Sequence, residues 1–216
     1  MNPTRASSRL PVCLLAATLG CGAVEVPNPR SYRLPLADGS VASAARAEVL
    51  RVQDLRLGAH LSPENLMVAD GPNLLQAHPL DLWAGPLDRL VTDVVVRSLR
   101  RSGAFADVKC ATDVGGEDLS LSATVTDFHY ERRQGGAEAV VALDAQVRRA
   151  PDHTLLLARE WRARVPLAEV SAADAVGALA QGVQRVVQQL VAACATLPPP
   201  PAESERVPGL ASPPGK

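Results

Sequence analysis

Between Leu119 and Thr126 apolar and polar residues alternate without a break: Leu119, Leu121, Ala123 and Val125 against Ser120, Ser122, Thr124 and Thr126. A period of two belongs to a strand with one buried and one wet face. Two further segments of strand character follow, Glu138 to Arg148 and Thr154 to Val165, separated by turn residues at Gln134-Gly135-Gly136 and Ala150-Pro151-Asp152-His153. Three strands joined by short turns predict an antiparallel meander. One apolar face of such a sheet must be covered by something else in the chain.

Two segments of helical period supply the cover. After Gly85-Pro86, the residues Leu87, Leu90, Val91, Val94, Val95 and Leu99 recur at spacings of three and four, with Asp88 in the first turn and Gly103 as the stop. Arg97, Arg100 and Arg101 crowd the last turn, where they complement the helix dipole. Ser171, with Asp174 three residues on, predicts the cap of a second helix whose stripe is Val176, Leu179, Val183, Val186, Val187 and Leu190. Its predicted wet face carries Gln181, Gln184, Arg185 and Gln188. Upstream, Tyr32 to Leu36 and Ala47 to Leu57 read as strands, and Phe105 to Cys110 as a short one after the first helix. The expected fold is α/β of the α+β kind, a mixed and mostly antiparallel sheet with two amphipathic helices packed on one face.

The chain has 216 residues, 47% of them hydrophobic but only 3% aromatic, so one core is expected, built from Leu, Val and Ala. A formal net charge of −1 leaves no general excess of Lys and Arg to bind phosphate backbones, which argues against nucleic acid. No apolar run is long enough to span a bilayer. His60, His78, His129 and His153 are scattered and none has metal-ligand spacing with a cysteine. There is no G-x-S-x-G, no H-E-x-x-H and no phosphate-cradling glycine loop. Asp127 and His129 lie two apart on one strand face, and Ser40 sits in a turn-like Ala37-Asp38-Gly39-Ser40, but neither makes a catalytic constellation. No enzyme, metal or diffusible cofactor is expected.

The two ends are of different character. Residues 1–20 carry Arg5 and Arg9, no acid, and an apolar stretch from Leu10 to Gly20, the layout of a secretory signal peptide. The stretch ends in Leu19-Gly20-Cys21-Gly22, which resembles the lipobox of bacterial lipoproteins, with Thr18 standing where that pattern prefers Leu. The resemblance implies cleavage before Cys21 and covalent lipid of the palmitate kind on it, and Gly22 in the next position implies the outer membrane. Several acyl chains anchor stably where one would not. An ordinary signal peptide cut nearby, leaving Cys21 as a free thiol, is the other reading. Losing residues 1–20 would move the formal charge from −1 to −3. Residues 21–31, with Pro27 and Pro29, read as an extended tether of up to roughly 30 Å. Residues 198–216 form a Pro-rich tail expected to lack a packed structure, a linker or a weak docking peptide. Cys110 and Cys194 read either as a disulfide in an oxidising compartment or as two small buried residues.

Taken in order, the lipobox-like Cys21, the early Tyr32-Arg33-Leu34 strand, the stretch Leu82-Trp83-Ala84-Gly85-Pro86-Leu87 and the meander ending in a capped helix resemble the ABC-type transport auxiliary lipoproteins of the PqiC or YmbA kind. The Trp-Ala-x-Pro-Leu stretch is the most specific part. The resemblance covers residues 32–197, stops at the tail, and finds in Leu74-Leu75-Gln76 only a weak copy of the extended segment expected before the tryptophan. It implies a non-catalytic lipoprotein on the periplasmic face of the outer membrane. Such a protein works with an MCE-domain protein and ABC transporter subunits in moving lipids or other hydrophobic molecules, and some members assemble as homo-oligomeric rings. By the same resemblance Trp83, Pro86 and Leu87 are candidates for the partner surface, though Trp83 reads equally well as a core residue at the start of the helix. A different function fits the same aliphatic richness: a periplasmic lipid-binding carrier whose sheet and helices enclose one acyl chain.

Overall fold

The structure, a computed structural model, describes residues 27–36 and 45–198. Cys21, Ser40 and most of the Pro-rich tail lie outside the described residues. The central element is β7 (Leu119–Arg133), a strand of 15 residues long enough to pair with several partners in line. On one edge it carries the antiparallel β8 (Gly136–Arg149), followed outward by β9 (Leu155–Pro166), which completes the meander. On its other edge three short parallel strands follow one another along its length. These are β2 (Arg46–Val52) beside Leu119–Leu121, β3 (Arg56–Leu57) beside Thr124–Val125, and β4 (Asn65–Asp70) beside Tyr130–Arg132. Beyond β2 lies β6 (Phe105–Cys110), and beyond β4 lie β5 (Leu75–Trp83) and then β1 (Arg30–Tyr32).

The strand expected over Ala47 to Leu57 is thus two strands, divided at Gln53 to Leu55 while the backbone stays beside β7: Gln53 N–H donates to Leu121 O at 2.8 Å and Gly58 N–H to Val125 O at 2.8 Å. The early strand expected at Tyr32 to Leu36 is shorter and earlier, so Arg30 and Ser31 belong to the sheet rather than to the tether. Strand β4 carries too little alternation, and β5 too many polar residues and Pro79, to be read from pattern alone. Both form because β7 offers an edge to β4 and β4 offers one to β5.

A bulge at Thr126 changes the parity of β7. Before it Leu119, Leu121, Ala123 and Val125 face the core; after it Phe128 and Tyr130 do, and Asp127, His129 and Glu131 turn to the other face.

Both helices cover the core face. In α1 (Leu87–Ser102) Pro86 stands just outside the first turn as N-cap, and Gly103 ends the helix in the left-handed conformation at φ 66°, which glycine adopts without strain. The residues Leu87, Val91, Val94, Val95 and Leu99 are buried, as their spacing requires. In α2 (Ala172–Cys194) the Ser171 hydroxyl accepts from Asp174 N–H at 3.1 Å, and the whole expected stripe from Val176 to Leu190 is buried. Gln184 departs from expectation: it is buried, because α1 packs over it and Ser98 Oγ donates to its Oε1 at 3.1 Å. The small residues of α2 let it settle deeply. A Cβ at Gly182 would stand 2.7 Å from Val141 Cγ2.

Candidate functional site

The residues singled out at the Trp-Ala-x-Pro-Leu stretch do not share one environment. Trp83, last in β5, is 5% exposed and meets Phe128 edge-to-face, with ring centroids 5.7 Å apart. Its Nε1 has no hydrogen-bond partner. Leu87 is fully buried, and Pro86 alone of the three is exposed. Ala84 and Pro86 are the exposed residues of this corner, with Trp83 and Leu87 buried beside them.

Cys110 and Cys194 are separate free thiols in this structure. The reason is their position along the sheet. Arg46, in register with Phe105 at the start of β6, donates to Cys194 O at 3.0 Å, so Cys194 lies near the start of that strand. Cys110 lies at its other end, about 16 Å further along, beyond bridging range. Burial pushes the Cys194 thiol up to about 12, with Arg46 opposing and Glu48 adding to the shift.

Sequence reading missed a buried carboxylate. Asp81 on β5 has no exposed surface, and it holds β1 in place. Arg30, its register partner, brings Nε and Nη2 to 2.7 Å from Asp81 Oδ1. On the other oxygen His78 Nδ1 stands 2.7 Å from Oδ2, and the His78 carbonyl accepts from Asn65 Nδ2 at 3.0 Å. The Asp81 carboxylate raises the Arg30 guanidinium, and burial together with Asp81 raises the Tyr32 phenol. The available signal was a lone acid between Leu80 and Leu82, a polar residue in an apolar setting that demands a partner.

On the sheet face away from the helices the charges form a lattice. Arg162 reaches Asp127 at 2.7 Å and Glu160 at 3.1 Å. Glu131 accepts from Arg133 at 2.7 Å and from Arg164 at 3.0 Å, and both arginines also contact Glu138. Beneath them Val140 and Ala142 are fully covered. His129 is 6% exposed, with Nδ1 3.8 Å from Asp127 and Nε2 3.7 Å from Glu131. Burial lowers its basicity despite both carboxylates. Glu131 is held at about 2: burial would raise it, but the hydrogen bonds from Arg133 and Arg164 outweigh that. Asp127 and His129 do share one face, but Asp127 is taken up by Arg162, and His129 Nδ1 is buried without a hydrogen-bond partner. Among the described residues no group of His, Cys, Asp and Glu forms a metal site, and no helix is long and apolar enough to cross a membrane.

Open grooves flank α2. One of about 840 Å³ runs between its outer side and β9, over Leu157, Arg159, Trp161, Gln189 and Ala193. Another of about 550 Å³ lies between Pro35 and the glutamines Gln181, Gln184 and Gln188. Both are surface features.

The fold recurs in solved structures. The chain is similar to protein XCC0632 from Xanthomonas campestris, with 22% identity over 75% of this chain and 92% of that one, at a TM-score of 0.66. An uncharacterised protein matches with 20% identity over 78% and 99% of the two chains, at a TM-score of 0.62. The hypothetical protein CT253 from Chlamydia trachomatis matches with 11% identity over 69% and 96%, at 0.50. No curated protein matches the chain. The family model described as ABC-type transport auxiliary lipoprotein component matches residues 32–191, from β1 nearly to the end of α2. The chain therefore belongs to the ABC-type transport auxiliary lipoprotein family.

Proposed function

We propose that this chain is the non-catalytic docking subunit of an MCE- and ABC-type transport system, held on the periplasmic face of the outer membrane by lipid on Cys21. Family membership supports the transport role. The observation that carries docking over a lipid-binding carrier is the seating of α2. Gly182 lies so close to Val141 that a single added carbon would stand 2.7 Å from it, so helix and sheet meet without room for an acyl chain there. The protein acts by position, with the lipid fixing it at the membrane and its exposed surface meeting the MCE-domain protein. The corner at Ala84 and Pro86 is the contact carried over from the family motif. Copies of the chain associate in the same proposal, and β9, which pairs only with β8 among the described residues, offers them an open strand edge.

The test is purification of the tagged native lipoprotein from its own envelope in mild detergent, with proteins and lipids in the eluate identified. Recovery of an MCE-domain protein or an ABC subunit supports docking. A protein that comes alone with stoichiometric lipid overturns it in favour of the carrier.

A further inference from the structure

We infer that the sheet end formed by the β4–β5 turn, the β7–β8 turn and the segment before α2 rests directly on the phospholipid surface. The inference depends on the lipid anchor at Cys21 and adds the orientation of the body beneath it. Strand β1 runs parallel to β5, with Arg30 level with Asp81. Its N-terminal side therefore points back along β5 toward Leu75 and the turn at Gly71 to Leu74. The Arg30–Asp81 clasp fixes that direction.

Chain length does the rest. Cys21 is nine residues before Arg30, a reach of at most about 30 Å. Through the register with β4, Leu75 lies only about 10 Å along the sheet from the level of Asp81, because β5 carries three extra residues between Leu82 and Ala77. The anchor can stand at most about 20 Å beyond the turn. The opposite end of the sheet, at Leu119 and Arg149, lies about 25 Å the other way from the level of Arg30, and the chain would have to reverse to approach it.

The end so placed has the surface a neutral lipid interface accepts. Leu74 is 47% exposed and Val170 is 56% exposed, at the two sides of the rim. Between them Gly71 and Pro72 share a shallow cleft with Arg132 and Arg133. The rim charges are compensated internally: Arg132 pairs with Asp70, and Arg133 and Arg164 pair with Glu131 and Glu138. Contact therefore comes from Leu74, Pro72 and Val170 under the constraint of the tether, and does not require anionic lipid.

Amide hydrogen exchange on the acylated full-length mature protein, reconstituted in vesicles of phosphatidylethanolamine and phosphatidylcholine, tests this against the non-acylated Cys21→Ala protein in solution. The expected result is exchange slowed about tenfold or more at residues 71–74 and 167–170 in vesicles, with residues 150–154 unchanged. Eight Gly and Ser residues inserted between Val26 and Pro27 should abolish the protection while leaving acylation intact. Protection at 150–154 instead, no protection at either end, or protection that survives the insertion overturns the orientation. Protection of 71–74 that appears in the Cys21→Ala protein and grows with its concentration also overturns it, since a second copy then covers the rim. A mature protein without the acyl mass overturns the anchor itself, and is distinguished by mass spectrometry before any exchange is read.

Discussion

Gly182 on α2 and Val141 on β8 approach so closely that no side chain fits between them: a Cβ on Gly182 would lie 2.7 Å from Val141 Cγ2 and 3.2 Å from its Cβ. Val141 is fully buried and β-branched, so it cannot swing aside. Gly182→Ala gains about 1 kcal/mol of helix propensity but forces overpacking that costs about 1–3 kcal/mol, and net destabilisation is expected. Gly177, on the same helix, has nothing within 4 Å of its Cβ position. Gly177→Ala should stabilise by up to about 1 kcal/mol. Denaturant titration of the pair checks both signs, and Val141→Ala should relieve the Gly182→Ala defect in a double-mutant cycle.

Trp83 and Pro86 should separate stability from partner binding. Trp83→Ala removes a core ring and should cost about 3–5 kcal/mol. Trp83→Phe should cost clearly less, because it keeps an aromatic against Phe128 and deletes an indole N–H that has no partner. Pro86→Asp, at an exposed cap, should leave the melting temperature within a few degrees while reducing recovery of the partner in pull-down.

Acid should unfold the protein in two stages through the face opposite the helices. The neutral form of His129 is favoured by burial, so its contribution is present above the ordinary imidazole value and is lost as pH falls below about 6.5. Glu131, held at about 2 by Arg133 and Arg164, contributes stability that is complete above about 4.5 and is lost between there and pH 2. The second loss is on the order of 2–3 kcal/mol. Chemical denaturation at a series of pH values should show both, with Glu131→Gln flattening the lower stage and His129→Phe the upper.

The two cysteines of the body should differ in reactivity. Cys110 is partly exposed with Sγ 3.7 Å from Arg100 Nη2, whereas Cys194 is buried with its thiol pushed up to about 12. Maleimide followed by peptide mapping should label Cys110 in the native protein and Cys194 only after unfolding. A Cys110–Cys194 peptide in the oxidised protein would contradict the separation along β6.

The elements that could be read from sequence are those whose signal is local. The stripe from Leu87 to Leu99, the Ser171 cap and the alternation from Leu119 to Val125 each encode a period or a hydrogen bond within a few residues, and α1, β6, the meander and α2 appear where those signals stand. The charged lattice was half legible, since Glu131 and Arg133, and Glu160, Arg162 and Arg164, alternate at the strand period. Its saturation was not, because it needs three strands side by side.

What only tertiary structure decided are the relationships between distant residues. Strands β4 and β5 exist because a 15-residue β7 presents an edge to pair with, a fact absent from their own composition. The bulge at Thr126 chose Phe128 over Asp127 for the core, since one extra residue exchanges the two faces of a strand. Gln184 is buried because α1 happens to cross it, and Asp81 could be buried only because Arg30, far away in sequence, comes to lie beside it. Periodicity specifies which face of an element is apolar; it carries no information about which element covers that face, and the covering is what placed each of these groups.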